Sequence, residues 1–314
     1  MVPSRRCLAA FPLTILLEPA TALAASPGVV ATVKAIFAQP DERLDYARTK
    51  LAFDRIVAPA TNAIAIMAQL DALAKAATEI AGPGAPDLKK LAFLRHVIYD
   101  AGPWNGGRAF SYDLTDPLGQ KPGNQQLATY LTTRRGNCVS MPTLFLILAE
   151  KMRIKGIALV DAPLHLFIRY TDETGKPLNL ETTNGANPTR DAWYREKLPM
   201  SDRAIASGLY MRPLTRREAI GDLALGVVDD LITKGHFEQA GEVAEVIVKN
   251  APRNGHAMVK SGTAYAGLLQ RDFIGKYANP DLVPVAQRPR YLRLIEKNKA
   301  AFWSAEALGW EPVE

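Results

Sequence analysis

The sequence predicts an α+β protein, with helices at both ends and a small antiparallel sheet between them. Three observations carry this. Apolar residues recur at helical spacing through residues 25–101, as in Ile64, Met67, Leu70 and Leu73. The period then changes to two in three short runs, at 157–160, 164–170 and 178–182. From Leu214 onward helical spacing returns.

The first segment reads as an export signal, residues 1–24. Arg5 and Arg6 form a positive start, residues 7–17 an apolar run, and Ala22-Leu23-Ala24 a small-x-small cleavage site. Its removal leaves 36 basic and 31 acidic side chains, a charge of +5 against +6 for the whole chain. The excess is spread out, and no basic stripe is interleaved with aromatics, so nucleic-acid binding is not expected. No later segment reaches 18 uninterrupted apolar residues, so no membrane span is expected after signal removal. The expected location is periplasmic or secreted. Of two cysteines, Cys7 lies in the signal, which leaves Cys138 without a disulfide partner.

The elements follow in order. Asp41 is placed to cap a helix running to Val57, and residues 60–80 form a second helix. Gly82-Pro83-Gly84 breaks the chain, and Asp87 is placed to cap a third helix with Leu91, Leu94 and Ile98 on one face. His96 in it reads as a surface or partly buried side chain. Residues 102–123, rich in glycine and proline, read as a long loop of the kind that often serves function. Its Trp104, Phe110 and Tyr112 either line a substrate cleft or anchor the loop to the core. Asn124 can cap a short helix ending at Gly136. A helix then runs from Cys138 to about Met152, its start fixed by Pro142 in the first turn. Glu173-Thr174-Gly175 suits a three-residue hairpin loop. It pairs Asp172 with Lys176, and so Phe167 with Glu181 and His165 with Thr183. His165 and Glu181 then become diagonal neighbours on one face.

The domains expected are 25–205 for the mixed part with its helical N-terminal region and 214–314 for the helical tail. In the tail, Gly235-His236-Phe237-x-x-Ala240, Ala244 and Pro252 follow the second half of a tetratricopeptide repeat, and Ser261-Gly262-Thr263-Ala264-Tyr265 a following first helix. The tail is either a docking surface for a protein partner or a buttress on the core. His236 and His256 fall at inter-helix turns and read as exposed.

Cys138, His165 and Glu181 together allow nucleophilic chemistry. Singly they read as a buried thiol, a core histidine and a strand-end charge. A thiol attacks as thiolate, and a helix N-terminus and an imidazolium both lower its pKa from about 8.5. The acid orients the imidazole, and the first N–H groups of the helix supply part of an oxyanion hole. Trp104, Tyr112, Arg135 and Asn137 are the residues expected in the substrate cleft. Metal binding through Cys138 and His165 lacks C-x-x-C or H-x-x-H spacing. No cofactor is expected, because no glycine-rich phosphate loop joins a strand to a helix.

Gly136-Asn137-Cys138-x-Ser140, the apolar helix after it, Pro163-Leu164-His165-x-Phe167 and Leu178-Asn179-Leu180-Glu181-Thr182 resemble the transglutaminase-like superfamily. Phe110-Ser111-Tyr112-Asp113 and the repeat-like tail resemble its SirB-type bacterial subgroup. The resemblance covers about residues 85–305, most specifically 110–187. It implies a papain-like core with the cysteine at the N-terminus of a central helix and the histidine and acid on adjacent strands. By position, Cys138 is the nucleophile, His165 the base and Glu181 the orienter. The acid is usually aspartate in such enzymes, and many members of the subgroup lack the cysteine.

Two functions follow. The first is an exported cysteine hydrolase or acyltransferase acting on amide bonds of a peptide or protein substrate. The second is a non-catalytic binding module that uses the cleft and the tail.

Overall fold

A computed structural model describes residues 28–312, so the export-signal segment lies outside the described residues. Four helices come first: α1 (Gly28–Phe37), α2 (Tyr46–Val57), α3 (Ala63–Ala81) and α4 (Asp87–Tyr99). The cap of α2 is Asp45, whose carboxylate accepts the Arg48 N–H, while Asp41 opens a separate short turn. Asp87 lies inside the first turn of α4, where it holds Lys90 Nζ and the Lys155 N–H instead of capping.

The loop of 102–123 is well tied down. Its β1 (Ser111–Tyr112) pairs in parallel with β2 (Arg135–Gly136), which follows the short helix α5 (Leu127–Thr133). Buried Asp116 accepts the N–H groups of Gln120 and Lys121 and the Asn124 amide, which folds the rest of the loop into a tight turn. Helix α6 (Ser140–Lys151) is buried along nearly its whole length and forms the centre of the molecule. It packs against α2, α3, α4 and α5 and against the sheet.

The sheet is an antiparallel meander of β3 (Ile157–Ala162), β4 (His165–Thr171), β5 (Pro177–Glu181) and β6 (Asn187–Thr189). The β4–β5 ladder pairs Ile168 with Leu180 and Thr171 with Pro177. This is the register expected from the hairpin loop, in which Gly175 takes φ 84° and its N–H meets the Asp172 carbonyl at 2.9 Å. The free edge of β3 is covered by residues 211–214, with the Met211 N–H on the Asp161 carbonyl and the Leu214 N–H on Leu159.

Two short helices, α7 (Asp191–Lys197) and α8 (Asp202–Ala206), lead to the tail. The tail comprises α9 (Arg216–Thr233), α10 (Phe237–Asn250), α11 (Gly255–Leu269) and α12 (Arg288–Ala307). Thr215 and Glu218 cap α9 reciprocally. One buried apolar cluster runs from Val30 through α6 and the sheet to Ala264, so α9 and α10 share the core of the mixed part. Among the described residues no helix is long and apolar enough to cross a membrane.

Candidate active site

The segment leading into α6 is built around close approach. A Cβ on Gly136 would stand 2.5 Å from the Tyr130 ring and 2.7 Å from Met141 Cγ, so only glycine fits there. Asn137 is buried and caps the helix. Its Oδ1 accepts the N–H groups of Val139 at 3.1 Å and Ser140 at 2.9 Å, and its carbonyl accepts that of Met141. Its Nδ2 donates to the Asn124 carbonyl. Asn137 therefore positions the cysteine segment rather than presenting a face to a substrate.

Cys138 sits two residues before α6 and is 1% exposed. Its N–H donates to the Pro117 carbonyl at 3.1 Å, and its Sγ–H to the Leu164 carbonyl at 3.4 Å. Leu164 belongs to the two-residue turn between β3 and β4 and takes φ 53°, a left-handed conformation unfavourable for a leucine. Burial pushes the Cys138 thiol up to about 12, and the Glu181 and Asp116 carboxylates add to the shift. This corrects the expectation of a lowered pKa. The N–H groups at the start of the helix are spent on Asn137 and on Pro117, so the expected dipole and oxyanion-hole donors are already taken in this state. Alkylation of Cys138 by iodoacetamide is accordingly expected to be slow at pH 7 and to accelerate about tenfold per pH unit as the solution turns alkaline, since only the thiolate reacts. A rate that levels off below pH 8 would contradict the buried, neutral thiol.

His165 opens β4 directly after that turn. Its Nε2 meets Glu181 Oε2 at 2.8 Å, with both side chains nearly enclosed. The carboxylate of Glu181 is fully committed. Oε2 also accepts the Tyr194 hydroxyl at 3.0 Å, and Oε1 accepts the N–H and hydroxyl of Thr183 at 2.9 and 2.6 Å. Burial alone would raise its pKa, but the bonds and charge of His165 and the bonds from Thr183 reverse this and hold the carboxyl below its ordinary 4.5. Tyr194, from α7, stacks on Phe167 with centroids 3.9 Å apart, which fixes the phenol that fixes the acid. Nothing in the spacing around Tyr194 marks it in the sequence; an aromatic three residues into a short helix reads as core.

The cleft residues separate. The Tyr112 hydroxyl donates to the same Pro117 carbonyl that holds the Cys138 N–H, which brings Tyr112 to the cysteine. Burial raises its pKa, with Cys138 and Glu181 contributing. Trp104 packs on His96 at 4.7 Å, while Phe110 is buried against Tyr130, so these two anchor the loop. Arg135 is exposed on β2. His256 departs from its expected exposure: it is half-buried, and burial, with Lys260 adding, lowers its pKa to about 4. No group of three or more metal-ligating side chains is found among the described residues.

A central helix preceded by a cysteine and packed on a small antiparallel sheet that carries a histidine–glutamate pair defines a mixed helix–sheet protein with a candidate cysteine site. The sequence pattern of the transglutaminase-like superfamily matches residues 64–221, from α3 into α9, and the chain belongs to that superfamily. No curated protein matches the chain, and no solved structure does.

Proposed function

We propose that the protein is an exported cysteine-dependent hydrolase or acyltransferase acting on amide bonds of peptides or proteins, of the SirB-type subgroup with tetratricopeptide-like tail helices. The observation that carries the reading is the His165–Glu181 pair, held by three further donors beside the cysteine-bearing start of α6. A carboxylate buried among four donors is costly to leave partly paired, and its use here is to present His165 in one tautomer, with Nε2–H toward Glu181 and Nδ1 free to accept a proton. His165 takes the Cys138 proton as Sγ bonds to the amide carbonyl carbon. The same proton passes to the leaving amine or ammonia when the C–N bond breaks, leaving a thioester. Water, or the amine of another molecule, then attacks the thioester and returns the thiol. Because the thiol rests neutral, this proton transfer takes place in the substrate complex rather than beforehand. Export to the periplasm or medium rests on Arg5, Arg6, the apolar run of 7–17 and Ala22-Leu23-Ala24.

The burial of Cys138 favours a second reading, a non-catalytic module that binds a protein partner through the cleft and the tail. One experiment separates the two. The full chain is incubated with mixed peptide amides and quenched in acid, and the intact mass is read for a thioester on Cys138. The catalytic reading expects an adduct that hydroxylamine removes and Cys138→Ala lacks. Peptide turnover that survives Cys138→Ala sinks it.

A further inference from the structure

Next to His165 the molecule keeps a cavity of about 330 Å³ whose far wall is the helical tail. Leu164, His165 and Val139 line it from the core, Asp222 and Asp229 from α9, and His256 from α11. Asp161 of β3 lines it too and faces Asp222. Both carboxyls are at most 4% exposed and are hydrogen-bonded to each other, and among the described residues no N–H or alcohol hydroxyl reaches Asp161 Oδ1 or Asp222 Oδ2. The other Asp222 oxygen accepts the Asn254 amide at 2.6 Å.

Two enclosed carboxyls that meet on a cavity wall through a shared proton offer acceptors to a cation that displaces that proton. The surrounding charges say which sign it carries. Arg212, whose field reaches Asp161, is committed to both oxygens of Glu218. Lys260 is committed to Asp229, which Gln125 also meets at 3.3 Å. Half-buried beside Lys260, His256 stays uncharged. These groups cancel in pairs. The Asp161–Asp222 pair, sharing one proton because two adjacent buried carboxylates cannot both ionise, is left with one uncompensated negative charge.

We infer that this cavity is a specificity subsite for a side-chain ammonium, lysine-like in reach, on the acyl-donor peptide, bound between Asp161 and Asp222. The ammonium supplies three donors and one positive charge where the pair offers acceptors and one negative charge. The apolar walls at Leu164 and Leu225 suit the methylene stem. The tail thereby selects substrate rather than only bracing the core. This inference rests on the amide-acting reading above, which places the scissile bond at Cys138.

The test is built so that the two can fail separately. N-acetyl-lysine amide and N-acetyl-norleucine amide, equal in stem and differing in charge, are titrated calorimetrically into the full-length Cys138→Ala protein, where no turnover is needed. The lysine compound is expected to bind at least tenfold tighter, and Asp161→Asn to reduce the preference to within twofold. Equal binding of the two, or no measurable binding of either, overturns the subsite even if thioester forms on Cys138 with other peptides. So does a tight lysine preference that Asp161→Asn and Asp222→Asn both leave intact. If wild-type turnover is saturably stimulated by free butylamine with no preference among donor peptides, the cavity takes the attacking amine and the inference fails in that form. A missing thioester with intact lysine preference condemns the catalytic reading and leaves an ammonium-binding site.

Discussion

Glu181→Gln is expected to lower turnover by roughly 10⁴-fold while leaving the fold in place, and His165→Ala by roughly 10³–10⁴-fold, on the scale of an imidazole that is mis-tautomerised or missing. Every proton around Glu181 points inward: two from Thr183, one from Tyr194 and one from His165. An amide there places an N–H₂ against two of these donors whichever way it is turned. If it faces His165, the imidazole must turn its lone pair to the amide and its N–H to the cysteine, and it loses its capacity as base. If it faces Thr183, the base survives and the Thr183 hydroxyl turns to accept, but the Thr183 N–H is orphaned, at a cost of about 1–3 kcal/mol. Turnover and urea unfolding of the same variant therefore show which orientation is adopted. The pH dependence has a definite sign. The folded pKa of Glu181 lies below 4.5, so its share of the stability is complete above that value and is lost as pH falls through the folded pKa. A wild-type protein whose Glu181 proton, followed by carboxyl NMR, leaves only above pH 5 would contradict the network.

What could be read from the chain in advance follows from range. The β4–β5 register was legible because the glycine of the loop and the alternation beside it lie within a dozen residues, and together they fixed Ile168 opposite Leu180. The helices of the core were legible from spacing, but the cap of α2 was misplaced. Asp41 and Asp45 look alike locally, and only the turn at Asp41–Arg43 decides between them. Local reasoning also misjudged Cys138. A cysteine before a helix suggests a lowered pKa, yet Asn137 next to it takes the N–H groups on which the dipole effect depends, and burial does the rest. Asp161, Asp222 and His256 carry no local signature at all. They sit in apolar surroundings on three elements, and only the packing of α9 and α11 beside β3 brings them to one cavity.

That packing leads to the largest stability effect expected. Asp161→Asn should stabilise the protein at pH 8 by on the order of 2 kcal/mol and raise the melting temperature by roughly 4–8 °C. Burial, against the partial opposition of Arg212, pushes Asp161 up from 3.8 to about 7, and burial together with Asp161 pushes Asp222 up as well. The folded chain thus holds protons on this pair that the unfolded chain has already released. Stability falls as pH rises from about 4 to 7, the reverse of the Glu181 dependence, and goes on falling past the Asp161 pKa because Asp222 is raised as well. An amide at position 161 donates to Asp222 without needing a shared proton, so the fall between pH 4 and 7 should shrink and the gain should appear only on the neutral and alkaline side. Urea titrations at pH 5 and pH 8 read both quantities, and equal effects at the two pH values would contradict the raised pair. The same substitution removes the uncompensated charge assigned to ammonium recognition. A variant more stable at pH 8 and indifferent between lysine and norleucine would identify the pair as groups kept at a cost in stability for what they bind.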